Sequence, residues 1–174
     1  MKYHTTLLPD SQLRTERDVD FIDNVAHRYA LQKVYVTWGM KAGVKAGDIV
    51  VFYRMGESYP KKYSSVMTTI GVIDEIVNTF VDKEDYMSYC ENRSVFAREE
   101  LEQFRNQHRA NLCVVKFIYI TSFVNKLNLG YLWEQRIIEA PNGPRPFDKL
   151  TDAQFEQIVR DSKTKLYRNG EINE

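Results

Sequence analysis

The chain has 174 residues, 43% of them hydrophobic and 28% charged, with Lys plus Arg and Asp plus Glu balanced at 24 each. That length suits a single domain, residues 1–174, with a real core, and that composition excludes a disordered or fibrous chain. No apolar run approaches the roughly 20 residues a membrane-spanning helix needs.

The opening Met1–Thr6 lacks the apolar core of a secretory signal. The two cysteines, Cys90 and Cys113, have no nearby Cys or His at metal-ligand spacing. A reducing cytoplasm is therefore expected, with no metal and no cofactor.

Residues 1 to 13 read as an extended opening segment ending near Pro9-Asp10-Ser11. Thr15 to about Tyr29 carries Val19, Ile22, Val25 and Ala26 at helical spacing. Lys33–Trp38 alternates and is rich in β-branched and aromatic residues, which predicts a strand. Gly39 to Gly47 is a glycine-bearing turn region before an apolar strand, Ile49–Arg54. Both faces of that strand are apolar, so it is expected to be covered on both sides. After a loop with Gly56 and Pro60, a long strand is predicted from about Tyr63 to Val77. Gly71 within it suggests a bulge or bend. Helices are expected over Asp82 to about Tyr89 and Arg98 to about His108, and a further strand over Leu112–Ile120. Thr151 and Gln154 have capping-box spacing, opening a helix with Phe155, Ile158 and Val159 on its apolar face. Two-sided strands and placed glycines together suit an α+β fold, a small curled mixed β-barrel of about five to six strands with flanking helices.

Charge is unevenly spread. Residues 26–69 hold seven basic side chains against two acidic, a balance of +5, and residues 70–108 hold nine acidic against four basic, a balance of −5. A neutral chain of this kind can present one basic face to phosphates, although clustering on solvated surfaces gives the same totals.

Four segments carry a resemblance. Lys45-Ala46-Gly47-Asp48-Ile49-Val50-Val51-Phe52-Tyr53-Arg54 resembles the glycine-aspartate strand of PUA-like domains. Tyr63–Ile73 is similar to the strand that follows it, and Leu150–Phe155 to the closing helix. Tyr3–Ser11, with Ser94-Val95-Phe96, resembles the PUA-like domains, relatives of the EVE, ASCH and YTH domains, that are fused behind GNAT acetyltransferases in bacteria and archaea. The resemblance implies a curled barrel whose mouth binds RNA or DNA, often one modified base in an aromatic pocket. It also implies a GNAT acetyltransferase as a partner. No Gly-rich acetyl-CoA loop is visible in the chain itself.

The residues singled out for nucleic-acid binding are Trp38, Tyr53, Arg54, Tyr63, Ser64, Ser65 and Lys116. If Ile49–Arg54 and Tyr63–Val77 pair across their loop, Tyr53, Arg54, Tyr63, Ser64 and Ser65 gather at one rim, which Trp38 could join. Aromatic planes, hydroxyls and a guanidinium suit a base and its phosphate. Each has a plainer reading: Trp38 and Tyr53 as core, Arg54 and Tyr63 as solvated loop residues, Ser64 and Ser65 as caps. Lys116, mid-strand between Val115 and Phe117, reaches either a phosphate or a neighbouring carboxylate. His4, His27 and His108 stand apart from any triad, and Trp133 is either an anchor or a lid. An ASCH-like hydrolase of modified nucleosides, using Lys45, Lys116, Thr68, Thr69 and Glu75, is the alternative function. A protein-interaction module is the third.

Overall fold

A computed structural model describes residues 7–8, 31–40, 43–91 and 93–166. The helix expected over Thr15 to Tyr29, most of the opening segment, His4 and His27 lie outside the described residues. One antiparallel sheet is formed by β1 (Gln32–Trp38), β2 (Ile49–Arg54), β3 (Val66–Val77) and β4 (Leu112–Ser122), in the order β1-β4-β3-β2. Five helices accompany it among the described residues. They are α1 (Lys61–Ser64), α2 (Lys83–Cys90), α3 (Arg98–His108), α4 (Leu129–Glu134) and α5 (Asp152–Asp161).

The fold is therefore α+β. The strands pair antiparallel rather than as a mixed sheet, and the sheet is open, with β1 and β2 at its two ends. A closed barrel of five to six strands is not found among the described residues. No helix among them is long and apolar enough to cross a membrane.

The chain divides into two compact units, Met1–Val50 with Ile70–Ile120, and Val51–Thr69 with Thr121–Glu174. In the first, β1 and β4 run antiparallel with Val34 opposite Lys116, Val36 opposite Val114 and Trp38 opposite Leu112. Side chains alternate across a strand, so these six share one face. Val34, Val36, Leu112 and Val114 on that face form a buried cluster with Tyr86, Met87 and Cys90 of α2 and Leu101 of α3. The α2–α3 pair is thus the cover for this face. Burial pushes the Cys90 thiol up to about 12, which leaves it an inert packing group at neutral pH.

The Gly47-Asp48 pair builds a turn. The Asp48 amide donates to the Lys45 carbonyl at 3.2 Å, and the Asp48 carboxylate accepts from the Lys45 amide at 2.9 Å. Gly47 donates to the Ile73 carbonyl and the Ile73 amide donates to that of Asp48, so two residues of one strand oppose one of the other. That is a glycine bulge, and Gly47 holds the positive φ of +89° it requires. A Cβ there would meet nothing within 4 Å, so the cost of Gly47→Ala is backbone strain alone. The variant is expected to lose about 1–2 kcal/mol in urea denaturation with its slope unchanged. Gly71, where a bulge or bend was expected, admits a close neighbour: a Cβ would lie 3.0 Å from the Ile118 carbonyl oxygen and 3.1 Å from the Phe117 ring.

In the second unit the chain leaving β4 returns beside the start of β3. Phe123 donates to the Thr68 carbonyl, Met67 to that of Leu127, and Leu129 to that of Ser65. Asn128 then caps α4, its side chain accepting from the Tyr131 amide at 2.9 Å. The Thr151–Gln154 capping box forms as its spacing predicts, and Ile158 of the helix it opens is fully buried.

The Tyr131 hydroxyl donates to the Asp161 carboxylate, linking α4 to α5. That bond holds the Asp161 carboxyl below the usual carboxylate range. A carboxylate whose pKa is lower folded than unfolded adds stability above its unfolded value, and that stability is lost as pH falls through the folded one. Tyr131→Phe is therefore expected to lower the melting temperature near neutral pH. The gap from the parent should close on acidification, as thermal melts across a pH series would record.

Candidate nucleic-acid interface

The loop joining β2 to β3 is held by its own hydrogen bonds. The Gly56 amide donates to the buried Ser65 hydroxyl at 2.9 Å. The Lys61 ammonium donates to the carbonyls of Gly56 at 2.6 Å and Glu57 at 3.3 Å, and the Ser64 hydroxyl to that of Ser58 at 2.6 Å. The short helix α1 closes the segment, with Tyr63 donating to Pro60 and Ser65 to Lys61 through the main chain. A Cβ on Gly56 would overlap the backbone and side chain of Ser64, so only glycine lets the two limbs approach this closely.

This stapled loop turns its rings outward. Tyr59 is 88% exposed and Tyr63 61%, while Met55 beside them is also exposed. The Lys62 ammonium lies 4.7 Å from the Tyr63 ring centroid. That geometry is a cation–π pair. Two solvent-facing phenol rings and two lysines thus sit within five consecutive residues.

Five of the residues singled out from the sequence fall in this unit. Tyr63 is exposed at the loop, as its position at the loop's border suggests. Ser64 and Ser65 tie the loop together through their hydroxyls. Tyr53 is half-buried and hydrogen-bonded with Ser65; burial pushes its phenol up, partly offset by that bond. Arg54 differs from expectation: it is 8% exposed rather than solvated at a rim. Its strand differs too. None of Ile49 to Tyr53 is fully buried, as befits a strand at the end of an open sheet, and the last residue turns inward instead.

No family model, curated protein or solved structure matches the chain.

Trp38 and Lys116 belong to the first unit, where both lie on the face that α2 and α3 cover. Trp38 is 48% exposed at one margin, stacked on His108 of α3 with centroids 4.0 Å apart and planes 4° from parallel, and tilted against Phe104. Lys116 lies two rows along, its ammonium 2.6 Å from the Glu75 carboxylate and 4.5 Å from the Tyr89 ring centroid. The carboxylate and the ring account for a cation in mid-strand. Both residues thus have helix-packing partners.

Four of the five groups offered for hydrolysis are also otherwise engaged, Lys116 and Glu75 with each other. Thr68 and Thr69 are fully buried, one donating to the Phe52 carbonyl and the other hydrogen-bonded with Ser122. Neither hydroxyl is presented to solvent as a nucleophile. Trp133 is half-buried, its indole N–H donating to the Asn142 carbonyl at 2.7 Å, while its neighbour Leu132 is the fully buried residue. Among the described residues no three His, Cys, Asp or Glu side chains gather as metal ligands.

Sequence reasoning missed Tyr59, Lys61 and Lys62 as site residues. Lys61 and Lys62 counted only toward local charge, and Tyr59 sat in a segment read as plain loop. A Tyr-Pro-Lys-Lys-Tyr run between two strands was the available signal.

Proposed function

We propose that this chain is a nucleic-acid-binding module that engages an unpaired or modified base in RNA or DNA. The observation that carries the reading is the loop from Met55 to Ser65, which displays Tyr59 and Tyr63 to solvent beside Lys61 and Lys62. Aromatic faces stack on bases and neighbouring cations meet the phosphates between them. The hydrogen bonds that tie the loop mean little of it has to be ordered on binding, which favours affinity. The finer fold that goes with this reading is PUA-like, with the sheet belonging to a curled barrel. The four resembling segments support that, and a GNAT acetyltransferase as a protein partner follows from the same resemblance.

The test is a fluorescence-anisotropy titration of labelled RNA and DNA oligonucleotides at increasing salt. Binding at low salt whose affinity falls linearly on logarithmic axes as salt rises is the expected result. No binding to either polymer at low salt contradicts the reading.

A further inference from the structure

Of the ligands the proposed function allows, a base held in a closed pocket and a base in an open strand make opposite demands on aromatic rings. A pocket walls a ring on both sides. Tyr59 and Tyr63 are instead 88% and 61% exposed. The Lys62 ammonium takes up one face of the Tyr63 ring. A base arriving on the other face would be sandwiched against a ring already polarised by a cation. Resting on the nucleic-acid reading above, we infer that this loop is an open stacking platform for single-stranded nucleic acid, tolerant of base identity and discriminating against duplex.

The chemistry follows from what each polymer exposes. In a duplex the base faces are stacked on one another, and only phosphates and groove edges are on offer, so a protein must unstack or flip a base before a ring can use it. In a single strand the faces are free. Every base has a π face, so stacking discriminates little among bases. Lys62 and Lys61 add positive charge along the same loop. Lys61, however, is also bonded to the Gly56 and Glu57 carbonyls, so it contributes as a fixed charge within the staple. Gly56 and Ser64 are positioning residues, holding the limbs of the loop together so that the rings stay presented.

Anisotropy with the full chain tests this, using oligothymidylate, oligoadenylate and oligouridylate single strands of about a dozen nucleotides. Hairpin duplexes of the same length, in RNA and in DNA, complete the probe set. Single strands of either sugar should bind about tenfold or more tighter than duplexes, with the bases within a few-fold of one another. Tyr63→Phe and Tyr59→Phe should keep most of the single-strand binding, because the ring remains; a loss as large as that of the leucine variants overturns the inference. Tyr63→Leu and Tyr59→Leu should each weaken single-strand binding about tenfold, because the flat face is gone while bulk and hydrophobicity are kept. The side chains are solvent-facing, so circular dichroism should show all four variants folded. Duplex binding as tight as single-strand binding overturns the inference and leaves the nucleic-acid reading standing, as does full binding by the leucine variants. Failure of every probe to bind at low salt overturns both.

Discussion

Phe117→Ala is expected to lower the unfolding free energy by about 3–5 kcal/mol. The phenyl ring is fully buried in mid-β4, and its edge lies 3.1 Å from the point a Cβ of Gly71 would occupy. The glycine and the ring are complementary: where one strand gives up a side chain, the next fills the space. Removing the ring leaves a cavity that β3, with no side chain at that point, cannot fill. Against a total stability of about 5–15 kcal/mol this is a large fraction. At this chain length it corresponds to a melting temperature lower by about 6–20 °C. Thermal and denaturant unfolding followed by circular dichroism would measure it. A loss below about 1 kcal/mol would mean that the site collapses around the missing ring or that Phe117 is not packed as described.

The double variant Tyr59→Ala/Tyr63→Ala is expected to weaken oligonucleotide binding roughly 30-fold to more than a thousandfold. That range takes each ring to contribute about 1–3 kcal/mol of independent stacking. Stability should change by no more than about 0.5 kcal/mol, because both rings are exposed and neither fills a core. That combination separates a binding surface from a structural one. Lys62→Ala should act differently. Losing one positive charge beside the rings should weaken binding almost uniformly across sequences and reduce the salt slope by about one unit. Anisotropy at several salt concentrations distinguishes the two kinds of loss.

Much of the architecture could be read before any coordinates. The alternation in Lys33–Trp38, the apolar run Ile49–Arg54 and the helix expected over Arg98 to about His108 each formed within a residue or two of its expected bounds. Thr151 and Gln154 announced a helix start that the observed bonds reproduce. The two misreadings have different causes. Tyr63 and Ser64 were assigned to a strand because the β-branched run after them is strong, and a four-residue helix is too short to show a period. Ile49–Arg54 was expected to be covered on both faces because apolar content does not reveal whether a strand ends a sheet or lies inside it. Burial of Arg54 and exposure of Ile49 depend on that placement.

The site was legible in part for the same reason. Tyr63, Ser64 and Ser65 draw notice at the start of an expected strand beside a loop, but their division of labour does not show in the sequence. Two serines hold the loop and one tyrosine is displayed, and that depends on which side chains reach which carbonyls. Trp38 and Lys116 drew notice as an aromatic at a strand end and a cation inside one. Their partners, His108 with Phe104 and Glu75 with Tyr89, are distant in sequence and follow from the β1–β4 register and the helices laid over it.

The most direct test of the central claim is where a nucleic acid touches the chain. A single-stranded oligonucleotide carrying photoreactive 5-iodouridine, irradiated in complex with the full protein, forms covalent adducts with nearby aromatic rings that mass spectrometry assigns to a residue. Adducts at Tyr59 or Tyr63, lost in the double alanine variant, are the predicted result. Efficient crosslinking confined to other residues, unchanged in that variant, would contradict the account.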